Sequence, residues 1–232
     1  MHKFVNLVLI NISASILFIS TDVICIKYSS KDLSYEYLAH CKRQSDINEH
    51  IPTLQQLATE CASVVEIGVR SVVATWGILK GLSDNNLSTK SYLGIDLVYP
   101  NAKTFKHAKN IALANNIKFN FIAKNDMLLN LEPVDMLFID SLHTYCHLTY
   151  ELEKFSPSVN KYIALHDTSA PWGDTDDSTY HGNYTEYPKH INRIKRGLWP
   201  AVEDFLASHP EWVLYKRYFN NHGFTILKRI AN

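Results

Sequence analysis

The stretch from Asp135 to Thr168 constrains the fold of this chain more than any other. An apolar run, Met136-Leu137-Phe138-Ile139, ends on Asp140 and continues Ser141-Leu142-His143-Thr144-Tyr145. After a helix-length polar segment, a second run, Tyr162-Ile163-Ala164-Leu165, ends on His166-Asp167-Thr168. Short apolar runs spaced in this way read as neighbouring buried strands of a parallel sheet. Ligands in open α/β sheets bind beyond the carboxyl ends of the strands. Two adjacent strands therefore each deliver an acid, with histidines beside them, to one crevice, which suits metal binding or acid–base chemistry.

The rest of the chain continues the alternation. Ser45-Asp46-Ile47 reads as a helix start capped by Ser45 or Asp46, with Ile51, Leu54, Leu57 and Ala58 at helical spacing. Ser63 to Gly68 is a strand, followed by a helix through Trp76, Ile78, Leu79 and Leu82 that stops near Gly81. Strands over Tyr92 to Asp96 and Lys118 to Ala123 flank a helix over Ala102 to Ala114. Tyr145 to Phe155 and Gly197 to Ser208 are helices. Trp212 to Phe219, the turn Asn220-Asn221-His222-Gly223 and Phe224 to Lys228 form an antiparallel hairpin. The expected fold class is α/β: a doubly wound, mostly parallel Rossmann-like sheet with a C-terminal antiparallel hairpin.

At 232 residues the chain suits one medium α/β domain with extensions. Its 23 basic residues balance 23 acidic ones, so bulk charge points to neither nucleic acid nor an anionic membrane. Cys25, Cys41, Cys61 and Cys146 form no CxxC pair and read as reduced or buried thiols, which favours a cytoplasmic working domain. The run from Phe4 to Thr21 carries no charge and fits a secretory signal or a membrane anchor. Asn6, Asn11, Ser13 and Ser15 interrupt it, however, and no A-x-A site follows, which suits a peripheral helix or strand equally well. Membrane association is expected only through this segment. The organisation is read as an apolar segment over 1–27, a helical cap over 28–62 and the main domain over 63–232.

The first strand carries a cofactor-type turn, Val64-Val65-Glu66-Ile67-Gly68-Val69-Arg70-Ser71. Gly68 permits a tight strand-to-helix turn and a close ligand approach. The second strand ends on Asp96, where a carboxylate can take both hydroxyls of a ribose, and Asn125-Asp126 follows the third. Three consecutive strand ends bearing polar groups point to a nucleotide-type ligand; ordinary caps and turn formers are the alternative.

The segments EIGVRSVVATW, GIDL, Asn125-Asp126, FIDSLHTY, ALHDT and YFNNHGFTILKR, spread over about Ser45 to Arg229, resemble a class I S-adenosylmethionine-dependent methyltransferase. The branch resembled is the methyltransferase-24 group, related to metal-dependent O-methyltransferases of the catechol and macrolide-sugar types. The resemblance implies S-adenosyl-L-methionine as cofactor, with Glu66 and Gly68 along its methionine part, Asp96 on the ribose, and Asn125 and Asp126 flanking the adenine. It implies a divalent metal, Mg2+ or Mn2+, on Asp140, His166 and Asp167, with Asp140 also bordering the cofactor, and His143 as base.

Two departures stand out. Arg70 and the Val72-Val73 pair replace the second and third glycines of the first motif, so Arg70 is either a cofactor-pocket residue or an ordinary salt-bridge arginine. His166 replaces a hard-oxygen ligand, which shifts preference from magnesium toward manganese, iron or zinc, or else the ring points away. Other clusters read more simply. His143 and His147 stand four apart as zinc ligands do on a helix, but Thr144 follows where a zincin has glutamate. Asp174, Asp176 and Asp177 fit no EF-hand and suggest a solvated acidic loop. Trp172, Tyr180, Tyr184, Tyr187 and Trp199 could stack a substrate or anchor packing. The long segment from Ser169 to Arg196 directly follows the candidate metal strand and is expected to form part of an acceptor pocket.

The leading functional expectation is a metal-assisted O-methyltransferase acting on a hydroxyl of a small molecule or glycan, with no nucleic-acid partner. A metal-dependent hydrolase using Asp140, His143, His166 and Asp167 is the rival. A non-catalytic protein that keeps only the cofactor-binding fold is the third reading.

Overall fold

The computed structural model describes residues 28–179, 182 and 184–230; the run from Phe4 to Thr21 lies outside them. Seven strands form one sheet in the order β3-β2-β1-β4-β5-β7-β6. They are β1 (Ser63–Ile67), β2 (Lys90–Asp96), β3 (Ile117–Ala123), β4 (Val134–Ile139), β5 (Val159–His166), β6 (Trp212–Tyr218) and β7 (Phe224–Arg229). The first five are mutually parallel, and β7 runs antiparallel between β5 and β6, so the expected closing hairpin is formed. The sheet is therefore the doubly wound, Rossmann-like one expected.

Alternation along the strands splits the core into two layers. On one face Val64, Tyr92, Met136, Phe138, Tyr162 and Ala164 pack under α1 (Ser30–Lys42), α2 (Ile51–Ala58), α3 (Thr75–Asp84) and α4 (Ala102–Ala114). On the other, Val65, Ile67, Leu137, Ile139, Ile163 and Leu165 pack under α5 (Tyr145–Phe155) and α6 (Leu198–Ser208). Side chains such as Trp76, Phe138 and Phe155 are fully buried, each contributing ~1.5–3 kcal/mol of apolar transfer. Leu33, Ile47 and Leu54 from the N-terminal helical region join the first layer.

Caps explain the sharp helix boundaries. Asn101 accepts from the amides of Lys103 and Thr104 and starts α4, while Thr144 accepts from the amide of His147 and starts α5. Two expected boundaries move. Residues 45–47 are not helical: a 3-10 turn over Asn48–His50 leads into α2, and the Asp46 carboxylate pairs with Arg70 instead of capping. α3 continues past Gly81 to Asp84, because Gly81 serves helix packing and not termination. A Cβ there would stand 2.2 Å from the Gln55 carbonyl oxygen of α2. Cys41, Cys61 and Cys146 are free, and among the described residues no helix is long and apolar enough to cross a membrane.

Candidate active site

The strand order reverses between β1 and β4, and the carboxyl ends of those two strands meet there. Gly68 follows β1 with φ +89°, and a Cβ on it would lie 1.9 Å from the Asp140 carbonyl oxygen, so only glycine fits. Its amide donates to the Ile95 carbonyl while the Asp140 amide donates to that of Ile67, locking the three strand ends together. Arg70 and Val72 hold φ of +46° and +67°, so the turn keeps left-handed backbone where glycines are missing. Such conformations cost of order 1–3 kcal/mol each in a non-glycine residue. The Arg70 amide donates to Asp96 Oδ2 at 2.8 Å, and its guanidinium pairs with Asp46 at 2.6 Å.

A cleft of about 540 Å³ opens over these strand ends. Gly68, Arg70, Asp96, Asn125, Asp126 and Asp140 all line it, so six of the seven residues expected around a cofactor are brought together. Glu66 is not. By alternation its side chain points to the opposite face from Val65 and Ile67, beneath α3, where its Oε2 accepts from Thr75 and Tyr92 hydroxyls at 2.8 and 2.6 Å. Burial pushes the Glu66 carboxyl up to about 8, against those two hydrogen bonds. Asn125 accepts from the Met127 amide and caps a 3-10 turn over Asp126–Leu128.

Beyond Asp140, four side chains converge. His166 Nδ1 lies 3.4 Å from Asp140 Oδ1 and 3.2 Å from Asp167 Oδ2. His143 Nε2 lies 2.9 Å from Asp167 Oδ2 and 3.5 Å from Asp140 Oδ1. His166 does not turn away: its Nε2 faces the carbonyl oxygens of Asp46 and Asn221 at 3.0 and 3.1 Å, which makes that nitrogen the donor. Nδ1 is thereby left facing the carboxylates. A ring held on one nitrogen by backbone and presenting the other to acids is the arrangement of metal-ligating histidines. Two carboxylates and one imidazole suit Mn2+, Fe2+ or Zn2+ better than magnesium, which prefers oxygen ligands. Asp167 takes φ +58°, and its Oδ1 accepts from His222 Nδ1 at 3.1 Å.

Charge reciprocity dominates this cluster. Burial opposes ionisation of Asp140, yet the charge of His166 and contacts from both histidines hold it well below the usual carboxylate range. Burial likewise opposes a charged imidazole at His143 and His166, but Asp140 and Asp167 outweigh it and raise them to about 9 and about 10. The His143 ring also rests on Trp172, centroids 4.4 Å apart.

His143 and His147 do not share a helix face as zinc ligands. His143 precedes α5 and turns to Asp167, whereas His147 turns to Asp126, 3.4 Å from its Nε2. The segment after β5 does reach the cleft, through Gly182, Glu186 and Tyr187. Its acids are not uniformly solvated. Asp176 is half-buried, its side chain only 7% exposed, and accepts from the amides of Tyr145 and Gly197 and the hydroxyl of Tyr184, pinning the segment to α5 and α6. Asp46 was read only as a helix cap, and Lys124, Glu151 and His222 were not assigned to the site by sequence reasoning. Only Glu151, one helical turn beyond His147, carried a local signal.

These features define the seven-stranded Rossmann-like fold of methyltransferases. Among solved structures, the chain resembles an O-methyltransferase from Bacillus cereus in complex with SAH, with a TM-score of 0.53, 15% identity and 90% of this chain on 94% of that one. It also resembles the O-methyltransferase TomG from Streptomyces achromogenes in complex with SAM, at 0.52, 15%, 89% and 93%. A methyltransferase from Geobacter sulfurreducens matches at 0.52, 11%, 87% and 86%. The likeness is one of fold. No family model and no curated protein matches the sequence.

Proposed function

We propose that this chain is an S-adenosyl-L-methionine-dependent O-methyltransferase of the metal-assisted, methyltransferase-24-like type, acting on a hydroxyl of a sugar or other small molecule. The observation that carries the reading is the continuity of the cleft. Its lining takes in the Gly68 turn, the Asp96 carboxylate and Asp140, and Asp140 is itself a member of the cluster with His143, His166 and Asp167. Its volume suits a nucleoside-sized molecule.

In this reading Gly68 admits the cofactor against bare backbone, Asp96 accepts from the ribose, and Asn125 and Asp126 flank the adenine. Arg70 acts through its amide, which fixes the Asp96 carboxylate, while its guanidinium ties the turn to Asp46. Glu66 braces the turn from below through Thr75 and Tyr92. S-adenosyl-L-methionine supplies an electrophilic sulfonium methyl, so the chain's task is alignment and removal of the acceptor proton. A divalent ion on Asp140, His166 and Asp167 would lower the pKa of an acceptor hydroxyl. The acids hold His143 protonated at neutral pH, and it would be able to accept a proton where a bound cation competed for those acids. Trp172 keeps its ring in place. Free cysteines and this cofactor suit a cytoplasmic enzyme.

The test is calorimetric titration of dialysed protein with S-adenosyl-L-methionine, with and without Mn2+. Saturable binding is expected; absence of binding under both conditions overturns the reading.

A further inference from the structure

We propose that Asp126, His147 and Glu151 form a second divalent-cation site, of zinc type, in the wall of the cleft. The three contribute ligand atoms within 4.8 Å of one another, and all three are buried. His147 Nε2 stands 3.4 Å from Asp126 Oδ2 and 3.6 Å from Glu151 Oε1. Both separations exceed the usual N–H···O range of ~2.7–3.2 Å. They match the edge of a coordination tetrahedron: ligands about 2.0–2.2 Å from zinc stand about 3.4 Å apart.

An ion triad accounts for the cluster less well. One imidazole Nε2–H cannot serve two carboxylates, and among the described residues Asp126 Oδ2 and Glu151 Oε2 are buried without any hydrogen-bond partner. A buried polar oxygen left unpaired is costly, and burial pushes the Glu151 carboxyl up to about 8 against the attraction of His147. A dication shared by two carboxylates and a neutral imidazole satisfies all three at once.

The supporting contacts are already in place. The Tyr187 hydroxyl lies 3.0 Å from His147 Nδ1, fixing the ring with Nε2 toward the acids. The Ser141 hydroxyl donates to Glu151 Oε1 at 2.7 Å and orients that carboxylate. Metal ligands are commonly held in this way by a second layer of hydrogen bonds. Asp126, His147 and Ser141 line the cleft, which gives an ion a route from solvent and leaves its fourth position toward the cavity. The ion would tie the turn after β3 to α5. This site is separate from the Asp140 cluster and does not depend on the transferase reading, since its test needs neither cofactor nor acceptor.

Chelator-treated full-length protein should be titrated with Co2+ and then displaced with Zn2+. Four-coordinate Co2+ absorbs far more strongly in the visible than six-coordinate Co2+. Because the Asp140 cluster offers a similar donor set, the titration is read in the Asp140→Asn protein, where one equivalent giving the intense band is expected, lost on Zn2+ addition. In that background His147→Ala and the shape-preserving Glu151→Gln should lose that equivalent, with at least a tenfold fall in Co2+ affinity. An intense band missing from Asp140→Asn, or retained when Glu151→Gln is added to that variant, overturns the proposal.

Discussion

His143 Nε2 lies 2.9 Å from Asp167 Oδ2, a contact made across the adjacent ends of β4 and β5. It pairs the proposed base with an acid whose other oxygen is held by His222 and whose neighbour His166 is clamped to backbone. Burial opposes ionisation of Asp167, but His143 and His166 hold its carboxyl below the ordinary value. The acids and histidines are therefore mutually dependent, and substitutions that remove one charge separate their roles.

Asp140→Asn keeps side-chain shape and removes one negative charge from the cluster. A dication is held chiefly by charge, so Mn2+ affinity at this cluster should fall at least tenfold, by ~1.4 kcal/mol or more. S-adenosyl-L-methionine affinity should change little. Titration of Mn2+ followed by electron paramagnetic resonance checks the first, calorimetry the second. Unchanged Mn2+ affinity would show that these acids serve structure alone.

Asp96→Ala removes a charged acceptor that also holds the Arg70 amide at 2.8 Å. A hydrogen bond to a charged group contributes ~1.5–3 kcal/mol, so cofactor affinity should drop by a factor of ten or more while the fold survives. Calorimetry with a circular-dichroism melt distinguishes lost affinity from lost structure.

Gly68→Ala should be severe. The added methyl meets the Asp140 carbonyl at 1.9 Å, and φ of +89° is strained for alanine, so the ends of β1 and β4 must separate. A loss above ~3 kcal/mol is expected in urea unfolding, with a named steric cause. A loss under ~1 kcal/mol would mean that the turn is freer than its geometry implies.

Glu66 gives the pH dependence. Burial raises its carboxyl from 4.5 to about 8, so the folded state holds this proton more tightly than the unfolded chain does. Its contribution is fully present below the unfolded value and is lost as pH rises through about 8. Glu66→Gln cannot ionise and keeps an acceptor for Thr75 and Tyr92. Its stability relative to wild type should rise between about pH 5 and 9, by on the order of a few kcal/mol. Parallel profiles in urea unfolding across that range would refute the assignment.

Much of the fold could be read locally, because strands alternate with period two and the caps Asn101 and Thr144 announce α4 and α5. The direction of Glu66 was legible too, since Val65 and Ile67 claim the opposite face. The His166 clamp was not: the carbonyls of Asp46 and Asn221 lie 120 and 55 positions away, and backbone oxygens carry no residue signature. Arg70 and Val72 in left-handed backbone were equally hidden, because the sequence reads there as a damaged glycine motif while tertiary contacts enforce the turn. His147 and Glu151 stood at helical spacing, yet Asp126 joins them only when the turn after β3 folds against α5.

His143→Ala tests the base. The imidazole is held protonated up to about 9 by Asp140 and Asp167 against the cost of burial, and in the proposed reaction a cation competing for those acids would free its Nε2. Removing the ring should lower turnover by ~10²–10⁴, the usual contribution of a positioned base. Mn2+ and S-adenosyl-L-methionine affinities should stay within a few-fold of wild type, so the defect falls on kcat. Raising the pH should narrow the gap, because an acceptor hydroxyl that ionises unaided no longer needs the imidazole. Equal losses at all pH values, together with weakened Mn2+ binding, would make His143 a ligand and not a base. A turnover unchanged by the substitution would remove it from the chemistry and leave alignment and the metal to carry the reaction.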